Sequence, residues 1–310
     1  MVKEILYVSP FDHQRMKAYL YEVDQAKALI AVFHGMAEHQ KRYQHFAQEL
    51  NKAGYNVLTI DHRGHGESLY DGKITGYFAD QDGWQKNLED CHTIIKDHRM
   101  GLPLVLFGHS MGSLFARLYL KAFASELSAV YLSGSPDESP MANVGYQLAK
   151  MIRLLFGRKH PSPLMTKLSF GAFNKQIENP RTSMDWLSVN PDNVDAYIKD
   201  PLCGFDFTAQ AFIDMLEGMA DVYRGSDWNC NDPELPIRFE SGAMDPCFEP
   251  GGLKRAVERL ESIGYRNVSY RLIEGCRHEI YNDIKRDELI IEFGTWLDEC
   301  LNMNRRVNPK

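Results

Sequence analysis

The chain reads as an α/β protein: a mostly parallel central sheet with helices on both faces and an inserted all-helical segment. Three observations predict this. Continuous apolar runs at 29–33, 57–60 and 104–107 have the pattern of strands buried on both faces, and 127–132 gives one more strand. Stretches with helical apolar spacing alternate with them, as parallel strands joined by crossover helices require. From about residue 136 to 228 no such run appears, and Pro, Asn, Asp and Met accumulate instead. Strand and helix patterns then resume.

In order, residues 16–21 close a hairpin with 5–8, ahead of the run at 29–33. Tyr43, Phe46, Ala47, Leu50 and Ala53 mark a helix that Gly54 stops. The run at 57–60 follows, then a helix carrying Trp84, Leu88, Cys91, Ile94 and Ile95. The run at 104–107 leads into Gly108-His109-Ser110-Met111-Gly112, with a helix from about Ser113 and a strand at 127–132. In the interrupted region, Met141, Val144, Leu148, Met151, Ile152 and Leu155 form one helical stripe, and 206–223 is a second helical stretch. Strands at 235–240 and 268–273 and a helix with Ile290, Phe293, Trp296 and Leu297 complete the pattern. The expected division is a core of 1–135 and 229–310 with a helical cap at 136–228.

Composition narrows the function classes. A net charge of -7 among 310 residues and a pI near 5.9 exclude nucleic acid as the expected partner. No apolar stretch reaches the ~20 residues of a membrane span, and the first residues lack a signal-peptide pattern, so a cytoplasmic location is expected. Six scattered cysteines, without zinc-ligand spacing, read as reduced thiols. Neither cofactor nor metal is expected.

The chemistry concentrates at residues 108–112. G-x-S-x-G between a buried strand and a helix is a nucleophile elbow, a sharp turn that exposes the Ser110 oxygen. The flanking glycines are needed where a Cβ would strike neighbouring backbone. A serine hydroxyl needs a base, and in the α/β-hydrolase arrangement the order is Ser, acid, His. Beyond Ser110 lie only His160 and His278. Asp245 sits just after the strand at 235–240 and His278 just after the strand at 268–273. His278 would take the Ser110 proton, and Asp245 would fix its tautomer and stabilise the imidazolium. Asp137, just beyond the strand at 127–132, is the alternative acid.

Six segments occur in sequence: HGMAEH at 34–39, DHRGHGES at 61–68, GHSMG at 108–112, DPLCGF at 200–205, SGAMDP at 241–246 and GCRHE at 275–279. Together they resemble the serine-aminopeptidase-type α/β hydrolases, the group holding monoacylglycerol lipases and bacterial lysophospholipases. The resemblance implies an α/β-hydrolase core with a helical cap, no cofactor and carboxylic-ester hydrolysis. It implies Ser110 as nucleophile, Asp245 as acid and His278 as base. Backbone N–H groups of Met36 and Met111 would form the oxyanion hole. Met111 opens the elbow helix, where free N–H groups and the positive dipole end face a developing oxyanion.

The expected enzyme is a serine hydrolase acting on a small lipid-like acyl ester, a monoacylglycerol or lysophospholipid. Two other readings stay open: an aminopeptidase or short-chain esterase with the same triad, and a ligand-binding sensor on the same fold. An aminopeptidase would want cap carboxylates for a free amine, for which Asp137, Glu138, Asp192 and Asp195 are available. The stripe at 141–155 reads chiefly as a helix packed on the core, or else as a mobile apolar lid. Arg153, Arg158 and Lys159 beside it raise transient contact between cap and membrane surface. His34 is read as bracing its loop, Asp61, His62 and His65 as turn-forming, and His109 as a packing residue pointing off the elbow. Cys247 and Cys276 are expected near the triad. Oligomeric state is not legible.

Overall fold

The computed structural model describes residues 1–138, 140–248 and 250–307, with side chains described as far as Asn302. The elements in chain order are β1 (Val2–Val8), β2 (Arg15–Tyr21), β3 (Leu29–Phe33), α1 (Gln44–Lys52), β4 (Asn56–Ile60), α2 (Gly83–His98), β5 (Leu104–His109), α3 (Met111–Phe123) and β6 (Leu127–Ser133). Four helices follow: α4 (Ala142–Phe156), α5 (Pro163–Phe170), α6 (Pro191–Lys199) and α7 (Ala209–Arg224). The chain ends with β7 (Ile237–Gly242), α8 (Gly252–Ile263), β8 (Val268–Ile273) and α9 (Arg286–Val307).

The strands form one eight-stranded sheet in the order β1-β2-β4-β3-β5-β6-β7-β8. β2 is antiparallel to both β1 and β4, and every pairing from β4 to β8 is parallel. β3, β4 and β5 are buried along their whole length, which accounts for their unbroken apolar runs.

Two apolar layers cover the sheet. On one face Phe46 and Leu50 of α1 pack with Phe293 and Leu297 of α9. On the other, Leu88 of α2, Leu114 and Phe115 of α3, Phe212 of α7 and Leu253 of α8 share the larger cluster. Trp84 stacks on Phe115 with ring centroids 3.8 Å apart. α7 fits closely over it: a Cβ on Gly218 would lie 2.2 Å from Trp84 Nε1.

Between β6 and β7 no named strand occurs among the described residues. The four helices there divide by burial. α7 is built into the layer on the sheet, whereas α4 buries only Ala149 and Ile152. Met141, Val144, Met151 and Leu155 of the stripe are exposed, as are Leu154, Phe156, Leu164 and Leu168. Packing of that stripe on the core is therefore corrected: of its residues only Ile152 and, in part, Leu148 pack there. The helix turns Ala149 and Ile152 toward α7, and the rest of the stripe lies on its open side.

Candidate active site

β5 runs into α3 through Ser110, whose φ of 52° and ψ of -120° place it in a left-handed region costly for a side chain with a Cβ. Two glycines permit the turn. A Cβ on Gly108 would sit 2.5 Å from Gly112 O, and one on Gly112 would sit 2.0 Å from Phe33 O. The Ser110 N–H donates to Ser133 O at 2.9 Å. Ser110 is thus pinned at the carboxyl end of the sheet with its side chain facing a cavity that His278 also lines.

Asp245 and His278 come from loops after the adjacent strands β7 and β8. His278 Nδ1 lies 2.9 Å from Asp245 Oδ2, and both residues are buried. Burial pushes the Asp245 carboxyl upward. The His278 charge outweighs that, together with hydrogen bonds from His278, the Ser241 hydroxyl at 2.5 Å and the Cys247 N–H at 2.9 Å. The carboxyl therefore titrates below the usual carboxylate range. For His278, burial opposes protonation, but Asp245 more than offsets it and leaves the imidazole above its ordinary value. Asp137, the alternative acid, is held instead by the Arg255 guanidinium.

The 34–39 loop forms another wall. A Cβ on Gly35 would lie 3.3 Å from Ser110 Cβ, so this loop runs directly against the elbow. Met36 lines the cavity and Met111 opens α3. Among the described residues, no acceptor takes either amide. His34 braces the loop, with Nε2 accepting from the His62 N–H at 3.0 Å and Nδ1 2.8 Å from Gly35 O. Asp61 accepts from the N–H groups of Gln40 and Glu67, at 2.9 Å each, which ties its own turn to the 34–39 loop.

Two placements differ from the sequence reading. His109 does not point away: it lines the cavity, and its ring centroid lies 4.7 Å from that of His278. Burial and the neighbouring His278 hold its imidazole down to about 4, so it is neutral near pH 7. Cys276 packs into the α1–α9 layer, while Cys247 Sγ lies 3.9 Å from His278 Nε2. Only one of the two thiols expected beside the triad is next to His278.

A buried charge network went unread in the sequence. Glu38 accepts from the Gly35 N–H at 2.5 Å, the Tyr43 hydroxyl at 2.9 Å and Arg42 Nη1 at 2.6 Å. Arg42 also grips both oxygens of Glu279, at 2.6 and 2.7 Å, and Asn193 of α6 donates to Glu279 at 2.7 Å. Arg42, Glu38 and Glu279 side chains are only 9%, 3% and 4% exposed. The 34–39 loop, the residue after His278 and α6 are therefore joined by one guanidinium. The Glu38-to-Arg42 spacing was visible as an i,i+4 pair; the partner 237 residues away was not.

An apolar wall completes the cavity. Phe170, Met184, Trp186, Leu187 and Phe205 line it, and the Trp186 ring centroid is 5.2 Å from that of His278.

An eight-stranded, mostly parallel sheet carrying a strained elbow serine at its carboxyl edge defines an α/β-hydrolase. The serine aminopeptidase S33 family model matches residues 24–285, and the chain belongs to that family of hydrolase enzymes. The chain is 26% identical over 271 residues to a monoacylglycerol lipase of Mycolicibacterium smegmatis, covering 87% of this chain and 88% of that one. It is 21% identical over 288 residues to phospholipase YtpA of Bacillus subtilis, covering 91% and 100%. Among solved structures, a thermostable carboxyl esterase from Bacillus coagulans in complex with glycerol matches with a TM-score of 0.87. It is 28% identical, and the match covers 97% of this chain and 99% of that one.

The network makes a stability prediction. Arg42→Met leaves two buried carboxylates without their shared cation and should cost about 3–5 kcal/mol in chemical denaturation. A loss below about 1 kcal/mol would show the cluster to be open to water.

Proposed function

We propose that the protein hydrolyses lipid-like carboxylic esters, such as a monoacylglycerol or lysophospholipid, through an acyl-enzyme on Ser110. The observation that carries this is the His278–Asp245 pair set beside the elbow in one cavity with an apolar wall. With Nδ1–H donated to Asp245, the His278 Nε2 lone pair takes the Ser110 proton as Oγ attacks the acyl carbon. The oxyanion faces the Met36 and Met111 amides, each such donor being worth ~3 kcal/mol in the transition state. His278 then passes its proton to the leaving alcohol, and water activated by the same imidazole releases the acid.

The ester reading is favoured over an aminopeptidase by the state of the cap carboxylates. Asp137 is paired with Arg255, Glu138 with Arg224 at 2.7 Å, and Asp195 with Arg181 at 2.6 Å. The cavity carboxylates Glu38 and Glu279 are engaged by Arg42. Asp192, the fourth cap carboxylate, is exposed on the first turn of α6 and does not line the Ser110 cavity, so no carboxylate of this set is placed to hold a substrate ammonium there. Monoacylglycerol lipase and phospholipase relatives support the same substrate class.

The cap in this reading is the helical stretch from 136 to about 208, α7 belonging to the core. α5 puts Thr166 and Phe170 on the cavity and exposes Leu164 and Leu168. The exposed apolar residues of α4 and α5, with Arg153, Arg158 and Lys159 in the chain between these helices or at their ends, suit transient contact with a lipid aggregate. No helix among the described residues is long and apolar enough to cross a membrane.

Ser110→Ala should lower turnover of p-nitrophenyl acyl esters by at least about 10⁴-fold, and the wild type should prefer medium or long chains over acetate and leave amino-acid anilides intact. Anilide cleavage exceeding ester cleavage would overturn the reading. The pH profile tests the base. Because neutral His278 is the active form, kcat/KM should rise with pH through its elevated pKa. Asp245→Asn removes that elevation, so the acidic limb should move to lower pH while the rate falls about 10³–10⁴-fold. An unmoved limb would assign the titration to another group.

A further inference from the structure

One side-chain cluster outside the Ser110 cavity carries donor chemistry that the hydrolytic reading leaves unused. His39 closes the 34–39 loop, and Asp200 and Cys203 lie in the turn after α6. One ligand atom from each lies within 4.8 Å of the other two, and His39 Nε2 is 2.9 Å from Asp200 Oδ2. We propose that His39, Asp200 and Cys203 form a site for a thiophilic divalent cation of the zinc class, with a solvent molecule as fourth ligand.

The donor set selects the ion class. Imidazole, thiolate and a single carboxylate suit Zn²⁺ or Co²⁺, whereas Mg²⁺ and Ca²⁺ want a cage of oxygens. Tetrahedral zinc, with bonds of about 2.0–2.3 Å, sets its ligand atoms roughly 3.3–3.7 Å apart. Reaching that spacing requires the His39–Asp200 contact to open by about half an ångström and Cys203 Sγ, within 4.8 Å of both, to close by up to about an ångström, moves of the size side-chain rotation supplies.

The backbone already holds the three donors together. Gly204 N–H donates to Ala37 O at 2.9 Å and the Tyr197 hydroxyl to the same oxygen at 3.0 Å, tying the turn to the loop. Cys203 N–H closes the turn onto Asp200 O at 3.0 Å. The Leu202 N–H donates to Asp200 Oδ1 at 2.9 Å, which orients the carboxylate and leaves Oδ2 toward His39. His39 Nδ1 has no partner among the described residues, so no second bond opposes a turn of the ring toward Cys203. His39 is buried, while the Asp200 side chain is 30% exposed, which gives an ion its way in and leaves room for the solvent ligand.

The local charge balance also favours a cation. Three carboxylates, Glu38, Glu279 and Asp200, face the one guanidinium of Arg42 around Cys203. On binding, the Cys203 thiol proton leaves to solvent, the His39 ring proton passes through solvent from Nε2, where it is donated to Asp200, to Nδ1, and the freed Nε2 lone pair and Asp200 Oδ2 bind the metal. The bound ion would lock the 34–39 loop to the turn at 200–204, alongside the cavity but outside the His278–Asp245 pair.

The experiment is a Co²⁺ and Zn²⁺ titration of the full-length, metal-free protein, read by absorbance and independent of hydrolysis. One equivalent of Co²⁺ should produce a near-ultraviolet thiolate-to-cobalt band that Zn²⁺ abolishes, and Zn²⁺ should raise Tm. Cys203→Ala should remove the band and weaken Zn²⁺, measured against a chromophoric chelator, by about tenfold or more. Cys247→Ala should keep both. If Cys203→Ala lowers the Tm of the metal-free protein, Asp200→Asn keeps the shape and the thiol and should show the same loss of Zn²⁺ affinity. A wild type without the band overturns the proposal. So does a band that survives Cys203→Ala and vanishes in Cys247→Ala, which would place the metal on His278.

Discussion

Ser110 occupies a backbone conformation that serine does not choose for itself, and the rest of the site is arranged around holding it there. A φ of 52° in a residue with a Cβ costs of order 1–3 kcal/mol. The sheet supplies the restraint. β5 lies between β3 and β6, its end pinned by the Ser110–Ser133 bond and by Gly112 pressed on the Phe33 carbonyl. A side chain held by a rigid strand-to-helix turn keeps its place without using the entropy that a loop residue would lose on each encounter.

Parallel pairing brings the remaining parts to the same rim. Asp245 and His278 follow β7 and β8, neighbours whose register pairs Gly242 with Ile273, so their loops emerge side by side. The 34–39 loop follows β3, on the other side of β5. Arg42 then binds that loop to Glu279, next to His278, and Asn193 adds the cap helix α6. The rim is thereby a set of loops cross-braced by buried charge, and a disturbance at α6 has a direct polar route to both Glu38 and Glu279.

What the sequence disclosed and what it withheld follow from the range of the interactions. Buried strands announce themselves because both faces are apolar, so β3, β4 and β5 lie close to where their runs place them. The elbow was legible because its constraint is local, two glycines within two residues of Ser110. α8 was overlooked although its apolar positions have helical spacing, since charged residues fill its outer face and blur the run. The orientation of His109 and the partner of Arg42 depend on segments far away in the chain. So does the exposure of α4: periodicity shows that a helix has an apolar side but not whether protein covers it. His39, Asp200 and Cys203 carry no ligand spacing in the sequence; only the fold places them together.

In the proposed reaction an imidazole late in the chain activates one particular hydroxyl at the end of β5. Mass spectrometry of the native protein after reaction with a fluorophosphonate reads this most directly. A single covalent adduct is predicted on the peptide containing Ser110, formed by the folded protein and absent when the protein is denatured before the reagent is added. An adduct formed at the same rate on any other residue, with Ser110 unmodified, would contradict it.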